Sequence, residues 1–298
     1  MEQNKNFKSG YVAIAGKPNV GKSTLINDYM ECKLSIVTPK PQTTRKKIMG
    51  VLTKDTYQIV FFDTPGIMEP KYELQKYMVN EAYAAIEDAD VVLMMAEPFE
   101  PASEQDKEIF NKLFKRNIPI ILAINKIDLV EKDSLIPVIA TYSTQFKFAE
   151  IVPISALKEI NLDLLLTLIV KYLPEGDPFY PEDYITDYNE RFLAAEVIRE
   201  KVFEYYGEEI PYSTTIEIEE FKEREKGKNF IRAIIYVERD SQKGIIIGEN
   251  GKAIKRVGVL AREEIEKQLG RKVYLELWVK VMEKWRKDKN KLRRLGYK

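Results

Sequence analysis

The feature of this sequence that most constrains its fold is a glycine-rich motif of the form G-x-x-x-x-G-K-S at residues 16–23. An apolar run at residues 11–15 precedes it and predicts a short buried strand, and residues 25–30 continue as the start of a helix. Glycines between a strand and a helix let successive N–H groups point inward, and the helix N-terminus adds partial positive charge. The motif therefore predicts a P-loop that binds the phosphates of a nucleotide.

Two side chains of this loop have a predicted role of their own. The Lys22 ammonium can reach the β- and γ-phosphates, and the Ser23 hydroxyl can ligate Mg²⁺. The candidate phosphate-binding residues are Gly16, Lys17, Pro18, Asn19, Val20, Gly21, Lys22, Ser23 and Thr24.

A second motif, D-T-P-G at residues 63–66, follows an apolar run at residues 57–62 that predicts another buried strand. An acidic side chain at the end of such a strand can hold the Mg²⁺ shell through water. The Gly66 N–H can approach the γ-phosphate, because no Cβ intervenes. The candidate residues of this segment, a nucleotide-sensing switch II, are Asp63, Thr64, Pro65, Gly66 and Ile67.

A third motif, N-K-I-D at residues 125–128, predicts a guanine-binding site. The Asp128 carboxylate can accept hydrogen bonds from guanine N1–H and the exocyclic amine, and adenine would leave that acceptor unpaired at a high cost. Asn125 is expected to brace the loop, and the stem of Lys126 can lie along the base. Backbone N–H groups after a short strand at residues 151–154 could meet the guanine carbonyl. The candidate guanine-binding residues are Asn125, Lys126, Asp128, Ser155 and Ala156.

The strand and helix patterns alternate through residue 172, which predicts an α/β domain with a mostly parallel sheet and helices on both faces. The other predicted strands of this domain lie at residues 91–95 and 118–124. The predicted helices lie at residues 103–115, with Ser103 as N-cap, and at residues 162–173. Ligand groups at the carboxyl ends of the strands follow the general rule for such sheets.

Composition excludes several classes of protein. The chain has one cysteine, Cys32, and no histidine, so an internal disulfide and a zinc site built from Cys and His are excluded. We expect no signal peptide, since residues 1–10 are polar and basic, and no apolar run approaches the length that spans a bilayer. These features predict a protein of the reducing cytoplasm.

Charge is unevenly distributed along a chain that is neutral overall, with 47 basic and 47 acidic residues. Residues 241–298 hold 17 Lys and Arg against 7 Asp and Glu, and the preceding 240 residues hold 30 against 40. The surplus of ten positive charges predicts an anionic partner for the C-terminal part.

The alternating pattern of strands and helices breaks at a segment rich in proline and acidic residues, which predicts a linker. We therefore expect a GTP-binding domain at residues 1–173, a linker at 174–188 and a second domain at 189–298 that ends in a basic tail helix. The second domain contains a helical pattern at residues 189–206, strands at 213–218 and 231–237, a helix at 252–269 and a strand at 273–281.

An apolar turn, a G-x-x-G sequence and a helix follow one another in this second domain. With the element order helix–strand–strand–helix–helix–strand, this pattern resembles a KH domain, an α+β RNA-binding fold. In KH domains the G-x-x-G loop clamps the backbone of single-stranded nucleotides. The candidate RNA-binding residues are Gly248, Glu249, Asn250, Gly251 and Lys252.

Taken together, the motifs resemble the Era-type GTPases, which join a P-loop GTPase domain to a C-terminal KH domain. The resemblance extends to residues 41–45, which are similar to the switch I segment of that family, where a threonine completes the Mg²⁺ shell. Thr43 and Thr44 are both candidates for this threonine. The candidate switch I residues are Gln42, Thr43, Thr44 and Arg45.

Family membership would imply further properties. These are binding near the 3′ end of small-subunit ribosomal RNA, a role in assembly of the small ribosomal subunit, and a cytoplasmic monomer with peripheral contact to the inner membrane. Some related GTPases hold K⁺ with an asparagine at the position of Asn19. Ile67 replaces the glutamine that orients the attacking water in Ras, so slow intrinsic hydrolysis is expected.

Three functional hypotheses remain open. In the first, the GTP state controls how the KH domain presents to RNA, and hydrolysis resets the switch. In the second, the chain is an RNA-binding assembly chaperone for which GTP is mainly a ligand. The third, a P-loop ATPase or kinase with an appended RNA domain, is disfavoured by Asp128 in its N-K-I-D context.

Overall fold

The computed structural model describes residues 7–99, 104–114, 117–224 and 227–297. Its residues group into two compact units. The first comprises the described residues up to 35 together with 44–70 and 78–187, and the second comprises 36–43, 71–77 and the described residues from 188 onward. Two short segments from the N-terminal half therefore pack with the second unit, which the linear domain boundaries predicted from sequence did not anticipate.

A six-stranded sheet with the order β2-β3-β1-β4-β5-β6 forms the centre of the first unit. Its pairings are parallel except for β2, which runs antiparallel to β3. The strands are β1 (Lys8–Gly16), β2 (Ile48–Lys54), β3 (Tyr57–Asp63), β4 (Val91–Ala96), β5 (Ile120–Ile124) and β6 (Glu150–Pro153).

Helices follow the strands, and their apolar faces bury the sheet. They are α1 (Lys22–Tyr29), α2 (Glu73–Glu87), α3 (Glu104–Leu113), α4 (Lys132–Gln145) and α5 (Leu162–Tyr172). The residues of β4 and β5 are all buried, as expected for parallel strands covered on both faces. The predicted N-cap Ser103 and the predicted helix end at Lys115 lie outside the described residues.

The predicted linker is fastened to the first unit through most of its length. Glu175 forms a β-bridge with Lys8, and the Gln58 side chain donates to Tyr180 O at 2.8 Å and accepts from Tyr180 N at 3.0 Å. Further along, Val51 N donates to Ile185 O at 2.8 Å. These contacts make the segment a strap along the first unit rather than a free spacer.

The second unit has a three-stranded sheet with the order β7-β8-β9. Strand β7 runs antiparallel to β8, which pairs in parallel with β9. The remaining elements, in chain order, are α6 (Glu190–Tyr205), α7 (Ile210–Ser213), β7 (Thr215–Lys222), β8 (Asn229–Val237), α8 (Asp240–Ile247), α9 (Lys252–Leu269), β9 (Val273–Val281) and α10 (Lys289–Arg294).

Helices α6 and α9 pack against one face of this sheet. Val257, Ala261 and Ile265 of α9 are buried in the core, as their spacing predicted. The predicted basic tail helix corresponds to α10, and apolar side chains on both sides of it fix the segment to the unit. Trp285 is fully buried and donates from Nε1 to Ser213 O at 2.9 Å, and Tyr297 is also buried.

No helix in the described parts of the chain is both long enough and apolar enough to cross a membrane.

Candidate functional site

The loop between β1 and α1 has the backbone that the P-loop motif requires. Gly16 and Gly21 have φ values of 150° and 100°. A Cβ on Gly16 would lie 2.4 Å from Met95 O, and one on Gly21 would lie 2.2 Å from Asn125 Nδ2. Only glycine fits at these two positions, so the tight turn and its inward N–H groups depend on them.

Lys22 is buried at the base of this loop, where its ammonium donates to Gly16 O at 3.3 Å and to Lys17 O at 2.9 Å. Burial lowers the pKa of Lys22 to about 8, and the nearby Asp63 carboxylate acts in the opposite direction. An anion bound in the loop would stabilise the charged ammonium, which burial has separated from water. The site therefore favours phosphate.

Hydroxyl and carboxylate oxygens from three segments meet beside Lys22. Ser23 Oγ donates to Asp63 Oδ2 at 2.7 Å and lies 3.0 Å from Thr44 Oγ1. Asp63 is completely buried, which raises its pKa despite the Lys22 charge, and its Oδ1 has no hydrogen-bond partner among the described residues. An unpartnered buried carboxylate oxygen beside two hydroxyls is a donor set that suits Mg²⁺ and its water ligands.

The two switch I threonines have different surroundings. Thr44 Oγ1 lies beside Ser23 and Asp63, whereas Thr43 Oγ1 donates to Lys40 O at 2.7 Å. The geometry therefore favours Thr44 at the metal position. Of the two flanking predicted residues, Gln42 accepts a hydrogen bond at Oε1 from Tyr72 Oη at 3.0 Å, and Arg45 is buried.

The D-T-P-G segment lies against the phosphate loop. A Cβ on Gly66 would lie 2.5 Å from Pro18 N, and Ile67 N donates to Gly16 O at 3.0 Å. Thr64 Oγ1 donates to Ile14 O at 2.8 Å, which fixes the segment to β1. Pro65 is also buried. Ile67 packs into the hydrophobic core with 3% of its surface exposed, so its side chain does not face the loop as a water-binding group would.

Asn125 connects the phosphate loop to the predicted base site. Its Nδ2 donates to Val20 O at 2.7 Å, and its Oδ1 accepts from Ala156 N at 2.8 Å. Asp128 is exposed, and its Oδ1 accepts from Ser155 Oγ at 2.6 Å. The loops after β1, β5 and β6 therefore meet at one edge of the sheet, where a guanine and its phosphates could be held together.

Two acidic side chains at this edge were not identified from the sequence. Asp106 of α3 accepts from Lys17 Nζ at 2.6 Å, and Glu97 forms an ion pair with Lys126. Neither occupies a motif, and nothing in the sequence pattern separates Asp106 from the other acids of its helix. The remaining predicted loop residues, Asn19 and Thr24, lie at the exposed rim of the loop and in the first turn of α1 respectively.

The G-x-x-G loop joins α8 to α9 in the second unit. Gly248 has φ 69°, and a Cβ there would lie 2.6 Å from Ala253 Cβ, so the loop is packed tightly at this end. Gly251 has φ 74°, and apart from Gly251 and its two chain neighbours no atom of the described residues lies within 4 Å of an added Cβ, so this end is open. Glu249, Asn250 and Lys252 are exposed, and Lys252 stands at the N-terminus of α9.

A cavity of about 250 Å³ lies between α9 and β9. Its floor is apolar and its rim carries two cationic side chains. The lining residues are Ile254, Lys255, Gly258, Val259, Arg262, Leu275 and Leu277. The combination suits unstacked bases with their phosphates at the rim.

Comparison with protein families matches residues 11–126 to the 50S ribosome-binding GTPase family and residues 209–286 to the KH domain. GTPase Era of Clostridium botulinum (strain Hall) is 48% identical over 292 residues, which cover 98% of this chain and 99% of that protein. GTPase Era of Clostridium kluyveri is 47% identical, covering 98% of this chain and 100% of that protein.

Two solved structures are similar over the same extent. An Aquifex aeolicus Era variant bound to GDP·AlF₄⁻ is 46% identical with a TM-score of 0.94, covering 98% of this chain and 99% of that chain. An Era structure in complex with MgGDPNP and nucleotides 1506–1542 of 16S ribosomal RNA has the same identity, TM-score and coverage.

The fold and the site define a P-loop GTPase with a C-terminal KH domain, which confirms the fold class predicted from the sequence. Since its similarity to the curated relatives extends over almost its full length, the chain belongs to the Era GTPase family. It is therefore an enzyme that binds GTP and hydrolyses it to GDP and phosphate.

Proposed function

We propose that this protein is a GTP-dependent switch that binds the 3′ region of small-subunit ribosomal RNA and assists assembly of the small ribosomal subunit. The observation that carries the proposal is the similarity, at 46% identity over 98% of the chain, to an Era structure that holds MgGDPNP and 16S ribosomal RNA together. The nucleotide site and the G-x-x-G loop both lie within the matched length.

In the nucleotide half, the loop at residues 16–24 cradles the phosphates. The Lys22 ammonium neutralises the β- and γ-phosphates, and the Gly66 N–H approaches the γ-phosphate from its position against Pro18. Asp128 and the backbone near Ala156 bind guanine. Asn125 fixes the separation between the phosphate loop and the guanine-binding loop.

Mg²⁺ fits this site, because Ser23, Thr44 and the unpartnered Oδ1 of Asp63 present oxygen ligands of the kind the ion prefers. Ser23 and Thr44 would hold it directly, and Asp63 would do so through water. When bound, the ion neutralises charge that develops on the phosphate oxygens.

K⁺ is the second ion of the proposal. Asn19 stands exposed at the rim of the phosphate loop with φ 65°, where its amide oxygen could face a cation beside the phosphates. Such a cation would supply the charge stabilisation that an arginine finger supplies in other GTPases. We expect faster hydrolysis in K⁺ than in Na⁺, and we expect Asn19→Ala to remove the difference. Equal rates of the wild-type protein in both salts would contradict this.

In the RNA half, the open end of the clamp at Gly251 admits a nucleotide backbone, and Lys252 and the helix N-terminus attract its phosphates. The functional domains are proposed to be residues 1–173 and 189–298, joined by the strap at 174–188. We propose a cytoplasmic monomer that contacts the inner membrane peripherally.

A second candidate function is an RNA-binding assembly chaperone for which GTP is chiefly a ligand. Burial of Ile67, and the absence of a glutamine at that position, favour slow turnover and keep this candidate open. The two functions differ in one measurement, the affinity for RNA with GDP and with a non-hydrolysable GTP analogue. A switch gives different affinities, whereas a chaperone gives equal ones.

The whole proposal is tested by titrating a single-stranded oligonucleotide that carries the 3′ sequence of 16S ribosomal RNA. A scrambled oligonucleotide of equal length and composition is the control, and GTP hydrolysis is measured with and without each. Tighter binding of the 3′ sequence supports the proposal. Equal binding of both oligonucleotides would contradict the assignment of this RNA.

A further inference from the structure

Lys40 makes a contact that the nucleotide and RNA sites do not explain. It lies in residues 36–43, which belong to the second unit, and its ammonium donates to Phe203 O and, at 2.5 Å, to Tyr206 O. Phe203 O is one of the last carbonyls of α6, which have no donor within the helix. The positive charge of a lysine at this end also interacts favourably with the negative pole of the helix dipole. Lys40 therefore caps α6.

Tyr206 carries this contact onward to the G-x-x-G loop. Its hydroxyl donates to Ile246 O at 2.6 Å, and Ile246 precedes Gly248 by two residues. Both side chains are buried, and burial raises the pKa of Tyr206, so the hydroxyl stays protonated and remains a donor. The carbonyl of Tyr206 therefore faces Lys40 while its side chain positions the end of α8, from which the loop departs.

In the other direction, Lys40 is tied to the proposed metal ligand. Thr43 Oγ1 donates to Lys40 O at 2.7 Å and lies 2.8 Å from Thr38 Oγ1, which closes a compact turn. Thr44, the next residue, lies beside Ser23 and Asp63. Thr44 is thus connected to Lys40 through one peptide bond and one hydrogen bond.

We propose that Lys40 is the positioning residue that couples the nucleotide state to the RNA clamp, through Tyr206 and Ile246. The inference rests on the proposed function, in which Thr44 ligates Mg²⁺, and it adds that Thr44 does so only with the γ-phosphate present. Moving Thr44 then shifts the ammonium that caps α6, and the Tyr206 hydroxyl carries the shift to the backbone before Gly248. Since coupling between two binding sites is reciprocal, RNA in the clamp alters GTP affinity by the same factor.

The test is the ratio of RNA dissociation constants measured with GDP and with a non-hydrolysable GTP analogue. We expect a ratio that departs from 1 by at least about 5-fold in the wild-type protein, the lower end of typical couplings. Lys40→Met keeps the apolar stem but removes the donor, so its ratio should lie within about 2-fold of 1. Tyr206→Phe, which removes one hydroxyl from the same path, should give a similar ratio.

Lys54→Met is the matched control, because Lys54 is an exposed lysine at the end of β2 paired only loosely with Glu31 at 3.7 Å. It should keep the wild-type ratio. A wild-type ratio in Lys40→Met would overturn the inference and leave the proposed function standing. Equal affinities in the wild-type protein would overturn the inference together with the switch. A merely structural role for Lys40 would weaken RNA binding in both nucleotide states and leave the ratio unchanged, which would also overturn the inference.

Discussion

Asn125 connects two loops of the candidate nucleotide site. Its amide uses a donor to hold Val20 O and an acceptor to hold Ala156 N, so one buried residue spaces the phosphate loop from the base loop. Aspartate could keep the acceptor but would leave Val20 O unpaired and add a buried charge, both of which are costly. The amide is thus required for its paired donor and acceptor.

Base recognition is tested by Asp128→Asn. The amide can donate to the xanthine carbonyl that replaces the guanine amine, so preference should move from guanosine to xanthosine nucleotides. Loss of hydrogen bonds to a charged acceptor predicts a fall in GTP affinity of roughly 10- to 100-fold. Competition binding with GTP and XTP measures both effects. Wild-type GTP affinity without a gain for XTP would show that Asp128 does not read the base.

Lys22 predicts a pH dependence of GTP binding. Its pKa of about 8 in the folded protein means that the ammonium is present below pH 8 and is lost above it. Phosphates favour the charged form, so binding should take up a proton above pH 8, and affinity should fall by up to about tenfold per pH unit there. The terminal phosphate, with a second pKa of about 6, does not titrate in this range.

This dependence can be measured by calorimetry at pH 8.5 in two buffers of different ionisation enthalpy. A difference between the observed binding enthalpies reports proton uptake. GTP affinity that stays constant from pH 7.5 to 9.5, with no buffer dependence, would contradict the role assigned to Lys22.

Individual side chains differ in how far the sequence could predict them. The motif spacing predicts the convergence of Lys22, Ser23 and Asp63, because strand ends in a parallel sheet meet at one edge. It does not distinguish Thr43 from Thr44, since adjacent residues of an irregular segment have no periodicity to orient them. Lys40 carries no motif at all, and its contact with α6 depends on residues more than 160 positions away.

Among the helices and strands, the elements found from sequence are those with a clean period. Helix α9 and strand β9 have the bounds predicted from their apolar spacing. Strand β2 was missed, because Gly50 interrupts its apolar pattern. Glycine is needed there because Leu34 packs closely, and its Cδ2 would lie only 2.7 Å from an added Cβ. Helix α4 contains Pro137, which weakens a helical pattern.

Helix α2 was missed although its sequence carries a usable signal. Leu74, Met78, Ala82 and Ala85 are spaced for one helical face, and all four are buried. Residues 244–247 were expected to form an apolar turn, whereas α8 continues to Ile247. Gln242 explains this helix, because its Oε1 accepts from Glu238 N and Arg239 N and so closes the helix start.

The clamp between α8 and α9 is tested by two variants of the same size. Gly251→Asp and Gly251→Asn both place a side chain at φ 74°, which these two residues tolerate better than most. The aspartate also repels phosphates, so we expect it to lose RNA binding by at least tenfold more than the asparagine, an electrostatic difference of about 1.4 kcal/mol. Filter binding with single-stranded RNA measures this.

GTP affinity measured on the same preparations is the control for folding. The candidate phosphate-binding and guanine-binding residues lie in the first unit, whereas Gly251 lies in the second. RNA binding by Gly251→Asp at wild-type strength would mean that this loop is only a turn. In that event the cationic side chains beyond β9 would carry the affinity for RNA.

The chain is neutral overall, but its charged residues are unevenly distributed along the sequence. Residues 241–298 carry a surplus of ten positive charges, balanced by an equal negative surplus in the rest of the chain. At physiological ionic strength the Debye length is about 8 Å, so an RNA strand responds mainly to the charges close to it. Attraction to RNA should therefore come from local contacts in the second unit, and salt should weaken it strongly.

At this scale, the sequence does not predict the contacts of the strap or of the two segments from the N-terminal half that pack with the second unit. Proline and acidic residues identify 174–188 as a break in the α/β pattern, but not its hydrogen bonds to β1, β2 and β3. Similarly, no sequence period reveals that residues 36–43 and 71–77 pack with the C-terminal unit. Such contacts join residues far apart in the sequence, so no local period encodes them.

The salt dependence gives a quantitative test of the local contacts. For single strands, the logarithm of affinity falls with the logarithm of salt concentration with a slope of about −0.7 per phosphate neutralised. Lys252→Gln should remove one such contact and reduce the magnitude of the slope by about 0.7. Its ion pair with Glu249 joins two exposed side chains at 3.7 Å, so the variant should fold as the wild type does.

The matched control is Lys54→Gln, which removes the same charge from the first unit and keeps the net charge of the two variants equal. If RNA attraction depended on the net charge of the protein, both variants would lower the slope alike. If it depends on contacts at the clamp, only Lys252→Gln changes the slope, and Lys54→Gln follows the wild-type line. An unchanged slope in Lys252→Gln would place the phosphate contacts elsewhere on the second unit, away from the N-terminus of α9.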